Sequence, residues 1–130
     1  MTPNLLGDTY RDYIACLNQQ DWAKLDYFVD HEVIHNGQPI GLRGYLEMLQ
    51  GNYREIPDLL FKIELLICDP PRVASRLRFD CAPRGEFLGV AVNGRRVSFA
   101  ENVFYEFAEA KIVRVWSVID KAAIEAQLAG

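Results

Sequence analysis

The stretch Val97-Ser98-Phe99-Ala100-Glu101-Asn102-Val103-Phe104-Tyr105-Glu106-Phe107-Ala108-Glu109-Ala110-Lys111-Ile112-Val113-Arg114-Val115-Trp116-Ser117-Val118-Ile119-Asp120 decides the fold. It is rich in β-branched and aromatic residues and breaks once, at Ala108-Glu109-Ala110-Lys111, so it reads as two long strands joined in a hairpin. With Glu109-Ala110 as a two-residue loop, Phe107 pairs with Ile112, Val103 with Trp116 and Glu101 with Val118. Alternation then puts Ile112, Arg114, Trp116, Val118 and Asp120 on one face, with Glu101 and Asp120 as near-diagonal neighbours. Two carboxylates close together among apolar side chains raise at least one pKa, which suits a general acid or base. Asp120 has an equally good structural job, because it immediately precedes the helix-forming Lys121-Ala122-Ala123 and can cap it.

Upstream, the same reading gives two more strands. Leu59, Phe61, Ile63, Leu65 and Ile67 alternate with Lys62 and Glu64, and the run ends at Pro70-Pro71. Val73 to Cys81 follows, with Val73, Ser75, Leu77 and Phe79 on one face and Arg76, Arg78 and Asp80 on the other. The N-terminal half is helical. Leu6, Tyr10, Tyr13, Ile14 and Leu17 recur at helical spacing up to about Asn18, and Asp21 can cap a short helix over Trp22 to Phe28. A strand from Val29 to His35 ends at the turn Asn36-Gly37-Gln38-Pro39. Leu42, Tyr45, Leu46, Leu49 and Tyr53 form a third amphipathic helix that stops before Pro57. Helices first and an antiparallel sheet afterwards is the α+β pattern, with the helices covering one face of a curved sheet.

The chain has 130 residues, half of them apolar, and a net charge of −4. That fits one domain with a core of its own, and the acidic balance argues against nucleic acid as a partner. Arg72, Arg76, Arg78, Arg84, Arg95 and Arg96 form a local basic stretch that reads as a solvated strand face. Three widely spaced cysteines, Cys16, Cys68 and Cys81, do not form a disulfide framework and suggest the cytoplasm. No stretch approaches the roughly 20 apolar residues of a membrane span.

His31-Glu32-Val33-Ile34-His35 matches the HExxH pattern of zinc proteases letter for letter. That chemistry needs both histidines on one helix face, whereas in a strand they stand about 13 Å apart at ~3.3 Å per residue. No metal is expected. No glycine-rich phosphate loop and no Gly-x-Ser-x-Gly elbow occurs, so acid/base chemistry remains. Its candidates are Asp120, Glu101 and His35, the last at the edge of a turn, where loop residues often reach a pocket. Tyr10, Tyr13, Tyr45, Tyr53 and Trp116 pack first, and the tyrosine hydroxyls can also donate to a ligand oxygen.

Assembled in order, His35-Asn36-Gly37, Gly41-Leu42-Arg43-Gly44-Tyr45, Gly85-Glu86-Phe87-Leu88-Gly89, Gly94-Arg95-Arg96-Val97-Ser98-Phe99 and Lys111 to Asp120 make the chain resemble the nuclear transport factor 2-like superfamily. Within it the pattern is similar to the SnoaL-like polyketide cyclases and ester cyclases, over nearly the whole of residues 1–130. The resemblance implies a cone of curved sheet closed by three N-terminal helices, a pocket inside, and a homodimer formed through the sheet. It also implies intramolecular aldol ring closure without metal or cofactor, with the Asp that ends the last long strand, Asp120 here, as general acid/base. In the related ketosteroid isomerases a general-base Asp lies where this chain carries His35. Two departures stand out. Ala82-Pro83-Arg84 replaces a Thr-His pair that many ester-cyclase relatives carry, and Ala110 replaces a hairpin glycine.

The expectation is a cofactor-free enzyme that removes a proton next to a carbonyl of a small apolar ligand. Asp120 would be the base, with His35, Glu101 or a tyrosine hydroxyl stabilising the enolate or returning the proton. Tyr13, Leu49, Tyr53, Phe99 and Trp116 would form the apolar wall. The alternative is a noncatalytic ligand-binding or assembly module of the same fold. It predicts an almost wholly apolar pocket, Asp120 bonded to the backbone at positions 122 to 124, and His35 facing solvent.

Overall fold

Thr2 stands ahead of Pro3, and its hydroxyl accepts a hydrogen bond from the Leu5 N–H at 3.1 Å. The first helix therefore starts with a satisfied cap and a proline whose missing N–H costs nothing there. In the computed structural model, which describes residues 1–129, this helix α1 spans Pro3–Asn18 and buries Leu6, Tyr10, Tyr13, Ile14 and Leu17. The segment Trp22–Tyr27 is a 3-10 helix. After it come β1 (Val29–His35), α2 (Gly41–Glu55), β2 (Lys62–Asp69) and β3 (Arg72–Cys81). The short β4 (Glu86–Phe87) and β5 (Val90–Ala91) precede β6 (Val97–Ala108), β7 (Lys111–Ile119) and α3 (Lys121–Leu128).

Five strands form one sheet in the order β1-β7-β6-β3-β2, antiparallel except where β1 runs parallel to β7. The fold is the α+β arrangement of a curved sheet with helices on one face. Between the two lies the core, including Tyr10 and Leu17 from α1, Leu49 from α2, Leu77 and Phe79 from β3, and Phe99 and Val103 from β6. The arginine-rich stretch is a solvated face of ion pairs. Arg76 and Arg78 both reach Glu64, Arg96 bridges Asp58 and Asp80, and Arg72 meets Glu106. No helix among the described residues is long and apolar enough to cross a membrane.

Two bulges change which side chains face the core. In β7, Ile112 pairs with Phe107 as expected, but Arg114 already pairs with Glu106, so Val113 is an extra residue. From there the register is offset by one: Ser117 pairs with Val103, and Ile119, not Val118, pairs with Glu101. Val115, Ser117 and Ile119 consequently face inward, and Trp116 and Val118 face outward, 37% and 69% exposed. Trp116 therefore belongs to the outer sheet surface, where it lines a shallow groove with Phe104 and Val118, and not to the wall of a cavity between sheet and helices. In β2 the extra residue is Glu64, between Ile63 paired with Leu77 and Leu65 paired with Arg76. The expected single apolar face of Leu59 to Ile67 is split there. Ile63, Leu66 and Cys68 pack on the core, while Leu65 and Ile67 are exposed.

Candidate functional site

The turn after β1 organises the site. Asn36 and Gly37 adopt left-handed backbone (φ 47° and 80°), which lets His35 and Gln38 exchange backbone hydrogen bonds and end the strand abruptly. Asn36 then acts as an extra piece of strand. Its side chain accepts from the Ser117 N–H at 2.8 Å and donates to the Ser117 carbonyl at 3.2 Å, fixing β7 at the residue the bulge has turned inward. The Ser117 hydroxyl in turn donates to the Glu101 carboxylate across the β6–β7 pair.

Glu101, His35 and Ser117 line one cavity of about 480 Å³ between the helices and the sheet. Its apolar wall includes Leu17, Met48, Leu49, Phe61, Leu77 and Val103; Tyr13, Tyr45 and Tyr105 line it too. Leu88, at the tip of the β4–β5 hairpin, and Lys121 border it, and both are solvent-exposed. A small adjoining space of about 60 Å³, which shares Glu101, Asn52, Phe61 and Ile119, is lined by Phe87 and Phe99.

Burial in this setting acts on the two ionisable groups in opposite senses. Desolvation raises the Glu101 carboxyl above its ordinary value, opposed only by the Ser117 hydrogen bond, so Glu101 keeps its proton to higher pH. Desolvation lowers half-buried His35, which favours the neutral imidazole. A carboxyl pushed up and an imidazole pushed down move toward each other, which narrows the gap in proton affinity between the two groups.

The expected site residues divide. Glu101, His35, Tyr13 and Leu49 share the cavity, and Phe99 lines its extension, stacked on Phe79 with ring centroids 5.3 Å apart. Tyr53 stands outside: its hydroxyl donates to the Leu17 carbonyl at 2.6 Å, and its ring packs against Trp22 and Phe61. Asp120 is also outside the cavity lining. Its exposed carboxylate accepts from the Ala123 N–H at 3.1 Å and caps α3. His31 and His35 lie on strand β1, and no group of three or more His, Cys, Asp or Glu among the described residues could hold a metal ion. Ser117 and Tyr105 were not singled out from the sequence. Tyr105 shares the Glu101 face of β6 by plain alternation and could have been found; Ser117 was hidden by the bulge.

A curved five-stranded sheet with helices on one face and a cavity between them defines the nuclear transport factor 2-like class. Residues 7–128 match the family model of SnoaL-like polyketide cyclases, and the chain belongs to that family. It is similar to a crystal structure of a SnoaL-like polyketide cyclase from Agrobacterium tumefaciens, at 52% identity and a TM-score of 0.95, over 98% of this chain and 99% of that one. AclR from Streptomyces galilaeus, described as a candidate hydroxylase, shares the fold at 22% identity and TM-score 0.79, covering 98% of each chain. IdmH from Streptomyces antibioticus shares it at 20% identity and TM-score 0.82, over 96% of this chain and 99% of that one. No curated protein matched the sequence.

Proposed function

We propose that the protein is an acid/base enzyme of the cyclase or isomerase type, needing no cofactor, that acts next to a carbonyl of a small apolar ligand, with Glu101 and His35 as its proton-transfer pair. The observation that carries this reading is their presence in one largely apolar cavity, with burial driving their proton affinities toward each other. The neutral His35 imidazole takes the proton from the carbon beside the carbonyl. The C–H electron pair becomes a C=C bond, and the carbonyl π pair moves to oxygen, giving an enolate whose oxygen accepts a hydrogen bond from protonated Glu101. In ring closure the enolate carbon then attacks a second carbonyl of the same molecule, a C–C bond forms, and protonated Glu101 gives its proton to the new alkoxide. Water at the cavity mouth returns the proton from imidazolium to carboxylate.

Asp120 fits a capping role better than the base role that family likeness assigns it, since its carboxylate is engaged by the α3 backbone outside the cavity. That bond also agrees with the noncatalytic reading, but the convergence of Glu101 and His35 in one cavity favours the enzyme. Exchange of the α-protons of ethyl benzoylacetate for solvent deuterium, followed by proton NMR, tests the proposal. Wild-type protein should accelerate exchange, and Glu101→Gln and His35→Ala should each lower it by about 10²–10⁴-fold, while Asp120→Asn keeps it. Full activity in both cavity variants, or its loss in Asp120→Asn alone, would overturn the assignment. No acceleration by wild type across a panel of aryl β-keto esters would favour ligand capture instead.

We further propose a homodimer through the outer sheet face, supported by the exposed Leu65, Ile67, Phe104, Trp116 and Val118 on that face.

A further inference from the structure

The small space beside the main cavity is built differently from it. Phe79 of β3, Phe87 of β4, Phe99 of β6 and Ile56, just past the end of α2, are buried and form its walls, together with Leu59 in the turn that follows. The rings brace one another. Phe79 and Phe99 stack with centroids 5.3 Å apart, Phe61 meets Phe79 edge-on at 5.2 Å, and Phe87 lies 5.7 Å from Phe99. Rings packed on one another in this way are held from collapsing into the space between them. Its polar lining residues are Asn52 and Glu101, and both also line the main cavity. With Phe61 and Ile119, which are shared as well, they mark the junction of the two spaces.

Size and lining together select the occupant. A space of about 60 Å³ holds about four water-sized atoms. Water suits it poorly, because each molecule needs several polar partners and the far walls offer phenyl and aliphatic carbon. A six-membered ring is too large, whereas an alkyl chain of about three carbons fits. A ring system belongs in the main cavity of about 480 Å³. Glu101 stands where the two meet, so a carbonyl that it touches lies where a chain turns off from the main cavity.

We propose that this side compartment is a subsite that selects chain length: the ligand is an aryl dicarbonyl compound whose ring system fills the main cavity and whose carbonyl at Glu101 carries a short unbranched alkyl group ending against Phe87 and Phe99. That the chain is borne by the carbonyl at Glu101 rests on the acid/base reading above; the length limit does not. Phe87 is the wall that sets the limit. It comes from the separate two-stranded β4–β5 sheet, so trimming it leaves the five-stranded sheet intact.

The probes are benzoylacetone and homologues in which its methyl group is lengthened to ethyl, propyl, butyl and pentyl, with dibenzoylmethane as the bulky member, each titrated by isothermal calorimetry. For wild-type protein, affinity should rise about fourfold per added carbon through propyl. It should then fall at least about tenfold by pentyl, where the chain overfills the compartment, and dibenzoylmethane should bind more weakly than the propyl compound. Phe87→Ala should bring pentyl binding up to the propyl level or beyond and leave benzoylacetone unchanged, and Leu59→Phe should move the limit down to methyl. Met48→Ala, which enlarges the main cavity alone, should leave the length profile as it is. Wild-type affinity that keeps climbing through pentyl, failure to bind any member of the series, or a shift in Met48→Ala as large as that in Phe87→Ala would overturn the proposal. The first two outcomes need no variant, so a folding defect cannot mask them. A length limit in a protein that exchanges no α-protons would retain the subsite and remove the enzyme reading, and exchange without a length limit would do the reverse.

Discussion

Glu101 and Asp120 both come from the long hairpin, yet their surroundings give them different jobs. Glu101 is taken out of water and held by one hydroxyl; Asp120 is solvated and holds a helix end. The folded-state pKa of Glu101 lies above its unfolded value, so between the two values the native protein binds more protons than the unfolded chain. Stability is therefore complete below the unfolded pKa and falls as pH rises through the folded one. Glu101→Gln removes that loss: its melting temperature should match wild type near about pH 4 and exceed it above neutrality, as thermal scans across pH would show. His35 works in the other sense. Its folded pKa is depressed, so the stability it contributes is present above the ordinary histidine value and lost as pH falls through the folded one. Asp120→Ala should cost about 1 kcal/mol through loss of the cap, a drop of a few degrees in melting temperature, with α-proton exchange intact. A carboxylate inside an apolar strand was visible in the sequence at both positions. Which of the two is buried was not, because that depends on register.

At the level of elements, the helices, strands and hairpin follow from hydrophobic period, proline and glycine placement, and cap residues. α1, β1 and β3 agree closely with those signals, and the β3 alternation persists over its whole length. The departures have one cause. A period-two reading assumes an unbroken ladder, and an extra residue at Glu64 or Val113 exchanges the inner and outer faces beyond it. The β7 bulge turned Ser117 and Ile119 inward and Trp116 outward, and so rewrote the pocket wall. Nothing local marks either bulge; both are tertiary solutions that let a curved sheet close over the helices. The hairpin tip carries a visible cost. Glu109 and Ala110 take φ of 50° and 65°, the left-handed conformation of a two-residue turn, where glycine fits better. Ala110→Gly should stabilise the protein by about 0.5–1 kcal/mol after allowing for the greater freedom of glycine in the unfolded chain, measured by urea denaturation.

The whole molecule has two apolar surfaces on opposite sides of one sheet. The inner one encloses the cavity; the outer one exposes Leu65 at 55%, Ile67 at 56% and Phe104 at 59%, beside Trp116 and Val118. The β7 bulge that turned Ser117 and Ile119 into the cavity wall also moved Trp116 outward, and the separate β2 bulge moved Leu65 to the same outer face. Should that face join two copies, Val118→Glu would bury like charges on dimer formation and yield monomers in analytical ultracentrifugation. A monomeric wild-type protein would contradict the dimer without touching the cavity chemistry.

That chemistry depends on the state of one carboxyl group, and carbon-13 NMR titration of Glu101 in the free protein, assigned by its loss in Glu101→Gln, measures it directly. The midpoint should lie above the ordinary glutamate value of about 4.3 and climb further in Ser117→Ala, where the one opposing hydrogen bond is gone. A midpoint at or below the ordinary value would mean that Glu101 is a plain carboxylate at neutral pH and that the cavity lacks the acid this account assigns to it.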